Sequence, residues 1–292
     1  MRKLIILILI FTIVLSCFIS CSNSDLPKKM ELYQSAIGDV TAGGGFDVET
    51  EYEYSYKPFT KSDVPNKEYI YDSKTYDLVY QRSEQEHVLG FVVDIYKTED
   101  RIKFSFREDT GELVGVDFMT QQYYNGDQAV NEGKISEESA IEYSKEIAKK
   151  HIGDIDGYTP MLEDPQKNGN DNYYTVSFVK FVDGYETADY ISIRISLNGD
   201  LGSISLGAIG VFDNLKIEID KERLNQSVAD KLDKICEERN YTLIDKAFGY
   251  QRMHLVPNGD VCIYTLVDVT YLNANGLEIS TALCIETCVA KT

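Results

Sequence analysis

Apolar and polar residues alternate one by one along several stretches of this chain of 292 residues. Four such stretches have their apolar residues at Val48, Tyr52, Tyr54 and Tyr56; at Ile102, Phe104 and Phe106; at Ile191, Ile193, Ile195 and Leu197; and at Val261, Ile263, Val267 and Val269. Because successive side chains of a strand point to opposite faces, this spacing predicts strands that bury one face. Tight turns are predicted at five Asn-Gly pairs, which begin at Asn125, Asn168, Asn198, Asn258 and Asn275. The chain is therefore predicted to contain mostly antiparallel sheet.

Two stretches with helical spacing interrupt the predicted strands. The first follows Ser136, a residue type that caps helices, and has acidic residues in its first turn and lysines in its last, as the helix dipole favours. The second runs over residues 221–239. Their stripes consist of Ala140, Ile141, Ser144, Ile147, Ala148 and Ile152, and of Leu224, Val228, Leu232, Ile235 and Cys236. Because several strands follow each helix, the predicted class is α+β, with helices packed on antiparallel sheets.

Similar turn sequences divide the chain into units. They lie at 109–115, 197–202 and 257–261, and each is typical of a turn between two strands. The predicted divisions are a β-rich unit at 46–133, an α+β unit at 134–215 and a second α+β unit at 216–292.

Residues 1–21 have the composition of a secretion signal. Arg2 and Lys3 form a positive start, and residues 4–15 are apolar except for Thr12. The apolar run is shorter than the roughly 20 residues that span a bilayer, but it fits the ~7–15 residues of a signal peptide. The pattern predicts an exported protein.

A small residue directly before a cysteine makes this segment resemble a bacterial lipoprotein signal. In that family the cysteine thiol carries a diacylglyceryl group and the preceding bond is cut, which anchors the mature chain to the membrane. Cys21 is the predicted lipidation site, because a polar segment follows it. Cys17 is the alternative, because Val14, three positions upstream of it, is the residue better suited to that position of a lipoprotein signal. A cleaved signal without lipid is a further alternative. Residues 22–45, polar and without a sustained period, are predicted to form a flexible tether.

The chain is strongly acidic, with 48 Asp and Glu against 29 Lys and Arg and a formal net charge of −19. A protein that binds nucleic acid requires a basic surface to contact the phosphates, and a protein that binds an anionic membrane surface requires clustered basic residues. Both classes are therefore excluded. Removal of the signal also removes the positive charges of Arg2 and Lys3, so the exported chain is more acidic still than the full sequence.

The stretch from Ile135 through the Ser136 helix, its following strands and the turn at 198–201 resembles a PepSY-type module. That family combines an (I/V)S-x-E-x-A helix opening with strands and a D/N-G-x-(I/L) hairpin. The resemblance implies two to three PepSY-like or cystatin-like units. It also implies a secreted or envelope protein that inhibits a peptidase or binds without catalysis.

Four cysteines follow the signal, all within residues 216–292: Cys236, Cys262, Cys284 and Cys288. Buried free thiols are the first interpretation, and two disulfides are the alternative, because an even number of cysteines outside the cytoplasm allows them. Cys284 and Cys288 share one face of a strand pattern, and Cys236 lies on a helical stripe. Because CxxC pairs are absent from the sequence, a metal site is not predicted.

No catalytic group stands out in the sequence. His87, His151 and His254 are far apart, and the HExxH and GxSxG motifs are absent. Asp154 and Asp156 have the spacing of calcium ligands, but Tyr158 occupies the next ligand position and favours a solvated loop. No catalytic residue, metal ion or cofactor is predicted, and the tyrosines are expected to pack in strands.

These observations predict a non-enzymatic, lipid-anchored protein on the extracytoplasmic side of the cell membrane or envelope. It would bind or restrain a protein or peptide partner, such as a peptidase. The alternatives are a surface hydrolase with unlocated carboxylates and a ligand-capturing lipoprotein. A cleft with converging carboxylates would favour the hydrolase, whereas an exposed sheet edge or an apolar patch would favour binding.

Overall fold

A computed structural model describes residues 27–38, 57–86, 89–119, 135–163, 173–256 and 259–291. Several predicted features lie outside these residues: the signal at 1–21 with Cys17 and Cys21, the strand over 48–56, His87, and the Asn-Gly pairs that begin at Asn125, Asn168 and Asn258. Neither helix of the described chain combines the length and apolar character required to cross a membrane.

Sixteen strands and two helices occur in the described chain. The strands are β1 (Lys28–Lys29), β2 (Gln34–Ile37), β3 (Lys57–Phe59), β4 (Lys67–Tyr71), β5 (Lys74–Glu86), β6 (Phe91–Lys97), β7 (Lys103–Arg107), β8 (Leu113–Asp117), β9 (Tyr158–Glu163), β10 (Tyr173–Val182), β11 (Tyr185–Ser196), β12 (Leu201–Leu206), β13 (Ile217–Glu218), β14 (Thr242–Leu255), β15 (Val261–Leu272) and β16 (Glu278–Ala290). Helix α1 (Glu137–Ile152) precedes β9, and helix α2 (Lys221–Arg239) precedes β14.

Fourteen strands form one sheet in the order β2-β16-β15-β14-β11-β12-β8-β7-β6-β5-β3, with β10 and β9 added beside β11 and β4 beside β5. Neighbours in this sheet are antiparallel, except that β11 and β14 are parallel, with Glu186 opposite Arg252. The sheet is therefore mixed. Strands β1 and β13 form a separate parallel pair.

The predicted α+β class is wrong, because the described chain is mostly strand and has only two helices. The predicted two to three PepSY-like or cystatin-like units, each with helices on its own antiparallel sheet, are replaced by one large mixed sheet. The physical reason lies in two pairings, β8 with β12 and β11 with β14. These pairings join strand edges that would otherwise end separate sheets, and alternation within a strand carries no information about its neighbours.

The two helices begin and end close to the predicted residues. The Ser136 hydroxyl accepts a hydrogen bond from the Ser139 N–H, and the Asp220 carboxylate accepts one from the Arg223 N–H. These caps satisfy backbone donors that the first helical turn leaves free. The buried stripes consist of Ala140, Ser144, Ile147 and Ala148 in α1, and of Leu224, Val228, Ala229, Leu232, Ile235 and Cys236 in α2. Each stripe packs on part of the sheet.

Residues 27–38 lie within the predicted tether but belong to the folded body. Strand β2 pairs with β16, placing Ile37 opposite Ile285, and β1 pairs with β13. Met30 and Ile37 are buried. Two strands this short are held by pairing with distant residues and leave no periodic pattern, so the tether prediction is wrong for 27–38.

Strand β11 connects the two halves of the sheet. One of its edges pairs with β10 along nearly all of its length. The other edge pairs with β14 at Glu186 and Thr187 and with β12 from Ile191 to Ile195. Because β12 and β14 pair with the same edge of β11, side chains from the half that begins with β12 and from the half that begins with β14 meet beside this edge.

Candidate binding groove

The helices leave part of one sheet face uncovered. On β11, Ile191, Ile193 and Ile195 are fully buried in the core that Ile147 and Ala148 of α1 complete. The alternate residues of the same strands point to the opposite face, where they line a groove with a cavity volume of about 590 Å³. We call this cavity the groove. It extends from β7 and β8 across β11 to β14.

The floor of the groove is a row of small residues in register. Ser105 lies opposite Gly115, Gly115 opposite Ser205, Ser205 opposite Ser192, and Ser192 opposite Ser177. Residues directly opposed in a sheet share a face, so the row crosses five strands on the groove side. The Ser177 hydroxyl donates to the Ser192 hydroxyl at 2.9 Å. The row offers hydroxyl donors and acceptors without bulky side chains.

A second row beside the first carries charges of both signs. Lys103 lies opposite Asp117, with Nζ 3.9 Å from Oδ2, and Asp117 lies opposite Ser203. Ser203 is opposite Arg194, and Glu163 lies two strands beyond Arg194. The ionic character of this row is therefore mixed.

Aromatic and charged groups form the end of the groove at the junction with β14. The Arg252 guanidinium lies 4.5 Å from the centre of the Tyr190 ring, and its Nε donates to the Thr187 carbonyl at 3.2 Å. The Tyr250 hydroxyl donates to Glu186. Burial, together with this carboxylate, raises the pKa of Tyr250 above its usual range, so its hydroxyl remains a donor. Residue Tyr250 as a whole is 40% exposed, and its ring offers a flat contact surface.

The described lining residues of the groove include serines and carboxylates. None of them is a histidine or a cysteine, so no imidazole is present to activate a serine hydroxyl. Asp117 and Glu163 are separated by four strand-to-strand steps of about 4.8 Å, or roughly 19 Å. Paired carboxylates of glycosidases lie about 5–10 Å apart. Glu84 and Glu186 also line the groove, so this separation describes one carboxylate pair, and the serine row beside it is a surface that can form hydrogen bonds to a ligand.

The two described histidines lie elsewhere. The His151 ring stacks on Tyr71, with Nε2 3.2 Å from the Tyr71 hydroxyl. His254 is buried, with Nε2 2.6 Å from Oε2 of Glu286. In the loop after α1, Oδ1 of Asp154 accepts from the Asp156 N–H at 2.9 Å, which closes a turn.

The four predicted disulfide candidates, Cys236, Cys262, Cys284 and Cys288, are free thiols in the structure. Cys236 lies in the buried stripe of α2. Cys262 lies opposite Cys288 in the ladder between β15 and β16, whereas Cys284 lies opposite Leu266. A hydrogen bond with Cys288 and burial raise the pKa of the Cys262 thiol far above its usual range.

Sequence reasoning missed the serine floor. Alternation placed Ser192 and Arg194 opposite the buried face of β11, but it could not show that Ser177, Ser205 and Ser105 lie beside them. Comparison of the chain with models of protein families, with curated proteins and with solved structures finds no match.

Proposed function

We propose that this protein is a non-enzymatic, lipid-anchored component of the cell envelope that holds an extended segment of a polypeptide partner in the groove. The observation that carries this proposal is the open row of serine hydroxyls in register, with no histidine among the described lining residues. Such a surface can form many hydrogen bonds, and the described lining contains no imidazole that would activate a serine as a nucleophile.

An extended polypeptide fits the chemistry of the floor. A serine hydroxyl both donates and accepts, and so matches the alternating N–H and C=O groups of a backbone. The row from Ser105 to Ser177 covers four strand-to-strand steps, about 19 Å, which is the length of about six extended residues. Lys103, Asp117 and Arg194 beside the row provide charges of both signs for polar side chains.

The envelope location is supported by the sequence of residues 1–21 and by the acidity of the exported chain. A lipid on Cys21, or on Cys17, would hold the chain at the membrane. The net negative charge would keep the folded body away from an anionic lipid surface and in solution. A groove on such a body is accessible to other envelope or secreted proteins.

The binding proposal is tested by filling the groove. Ser205 is an exposed floor residue, and Gly115 beside it leaves room, so Ser205→Tyr fills the floor while keeping a residue type that strands favour. Ser280→Tyr on β16 makes the same change at an exposed strand position outside the groove. Each tagged variant is crosslinked in the native envelope, and captured chains are identified by mass spectrometry.

We expect the wild type and Ser280→Tyr to capture the same protein, with crosslinks at the groove, and Ser205→Tyr to lose it. A captured peptidase is then assayed for inhibition by the purified protein. Equal capture by Ser205→Tyr, or no captured protein in any sample, would contradict the proposal. Capture of a small molecule or glycan alone would support the ligand-capturing alternative instead.

The anchor is tested by mass spectrometry of the mature N-terminus. We expect a diacylated Cys21 in the wild type and loss of acylation in Cys21→Ala. Cys17→Ala is the matched control and should remain acylated. Retained acylation in Cys21→Ala would instead assign the lipid to Cys17.

A further inference from the structure

Three potential ligand atoms from two neighbouring strands meet near the C-terminal end of the chain. Cys262 on β15 lies directly opposite Cys288 on β16, and Glu286 shares a face with Cys288 because it lies two residues before it. The two Sγ atoms and a carboxylate oxygen of Glu286 all lie within 4.8 Å of one another. Tetrahedral zinc, with Zn–S bonds of about 2.3 Å and Zn–O bonds of about 2.1 Å, requires ligand atoms to lie roughly 3.5–3.8 Å apart, a small contraction from this arrangement.

The position of these groups is unusual for a sheet interior. Cys262, Cys288 and Glu286 are 0%, 3% and 5% exposed. Burial of a carboxylate is costly unless the carboxylate is paired or coordinates a cation. His254 provides one such interaction, with Nε2 2.6 Å from Oε2 of Glu286, and a cation bound beside the two sulfur atoms would provide another.

His254 orients the Glu286 carboxylate. Its ladder position is opposite Cys262, so it continues the row that Cys262 and Cys288 form across β14, β15 and β16. Nε2 of His254 lies 2.6 Å from Oε2 of Glu286. When Glu286 binds a cation as an ionised carboxylate it can only accept, so the imidazole is then the donor. Ligand carboxylates in metal sites are commonly held by hydrogen bonds of this kind.

We propose that Cys262, Cys288 and Glu286 bind a thiophilic divalent cation of the zinc class, with His254 as a positioning residue for the carboxylate. This function is separate from the groove, because none of the four residues lines it.

The donor set determines the class of cation. Thiolates select zinc and similar soft cations, whereas calcium and magnesium take oxygen ligands. On binding, each thiol releases its proton to water as its sulfur–metal bond forms, and no electrons are transferred. Three protein ligands leave the fourth tetrahedral position for a water molecule.

Two other cysteines provide controls within the same chain. Cys284 lies on the same strand and face as Cys288, two residues before Glu286, but it is not part of the three-ligand cluster. Cys236 lies on α2, buried among apolar side chains. If zinc binding is a property of this cluster, neither residue contributes to it.

The test uses the full-length protein, purified in detergent with a reductant, and zinc alone as the probe. Native mass spectrometry should show one zinc per chain, with the mass of two hydrogens lost on binding. Cys284→Ser and Cys236→Ser should retain the zinc, whereas Cys262→Ser and Cys288→Ser should lose it. Because a buried serine can disturb folding, Glu286→Gln, which keeps the side-chain shape, provides a second variant and should weaken zinc affinity in a competition with a chelating dye.

Cobalt substitution provides an independent readout. A thiolate-to-cobalt absorption band should appear in the wild type and in Cys284→Ser, and be absent in Cys262→Ser. The proposal is overturned if the wild type takes up no zinc, or if Cys262→Ser binds it as the wild type does. It is equally overturned if protein isolated from cells after thiol trapping contains a Cys262–Cys288 disulfide.

Discussion

The Tyr158 hydroxyl donates a hydrogen bond to Oδ1 of Asp189 at 2.6 Å, and the Asp189 carboxylate is completely buried. Its other oxygen, Oδ2, accepts from the Gly210 N–H at 2.9 Å and lies 3.5 Å from Nζ of Lys180. The four residues come from β9, β11, the segment after β12, and β10. This one carboxylate therefore connects β9, β10, β11 and the segment after β12, close to the place where β12 and β14 pair with the same edge of β11.

Removal of the Tyr158 hydroxyl should lower the free energy of unfolding. We expect Tyr158→Phe to cost about 1.5–3 kcal/mol, because it removes a hydrogen bond to a charged group. Tyr143→Phe, at an exposed site on α1, is the control and should change the free energy by less than about 0.5 kcal/mol. Urea unfolding measures both, and equal values would show that the bond to Asp189 adds no stability.

The charge of Asp189 should make stability depend on pH. Burial raises the pKa of Asp189 despite its hydrogen bond from Tyr158 and the nearby Lys180 ammonium. The folded chain therefore keeps the proton of the Asp189 carboxyl group at pH values, above about 4, where the unfolded chain has lost it. Stability from this group is present at low pH and is lost as pH rises through the raised pKa. Asp189→Asn should remove that component, measured as the difference between the two stability–pH curves.

His151 should contribute a pH dependence of the opposite sign. Burial, together with the charge of Lys150, lowers the pKa of His151, with Asp72 partly opposing the shift. Below about pH 6.5 the His151 imidazole is protonated in the unfolded chain but stays neutral to lower pH in the folded chain. The free energy of unfolding therefore falls as pH decreases from 7 towards 5. His151→Phe keeps a ring against Tyr71 and should flatten this fall. An unchanged slope in urea unfolding across this range would rule out His151 as its source.

Local features of the fold were predictable from the sequence. Ser136 and the apolar stripes set the helices, because caps and stripes involve residues within a few turns of one another. Pairing between distant strands was not predictable, and the parallel pairing of Glu186 with Arg252 joined what the repeated turn sequences had divided into units. The same limit applied to the sites. Cys262 and Cys288 are far apart in sequence, so their contact depends on the β15–β16 register.

The junction beside β11 should tolerate no side chain at Gly207. The Gly207 N–H donates to the Tyr190 carbonyl at 2.7 Å, and the Ala208 N–H donates to the Ala188 carbonyl at 2.7 Å. These bonds hold the end of β12 against β11, next to the residues of β11 that pair with β14. A Cβ at Gly207 would collide with the Ala188 carbonyl oxygen and lie 2.7 Å from the Tyr190 ring. We expect Gly207→Ala to cost about 3 kcal/mol, at the upper end for overpacking.

Gly111 provides the matched comparison for Gly207→Ala. It has φ of +73°, but a Cβ there would meet no atom within 4 Å, so Gly111→Ala should cost only the backbone strain, about 1 kcal/mol. Because Tyr190 lines the groove, Gly207→Ala should also reduce capture of the partner, whereas Gly111→Ala should not. Urea unfolding gives the two costs, and hydrogen exchange at Gly207 and Ala208 reports whether β12 separates from β11. A Gly207→Ala variant as stable as Gly111→Ala would show that β12 can shift without loss, and that the junction does not depend on this close contact.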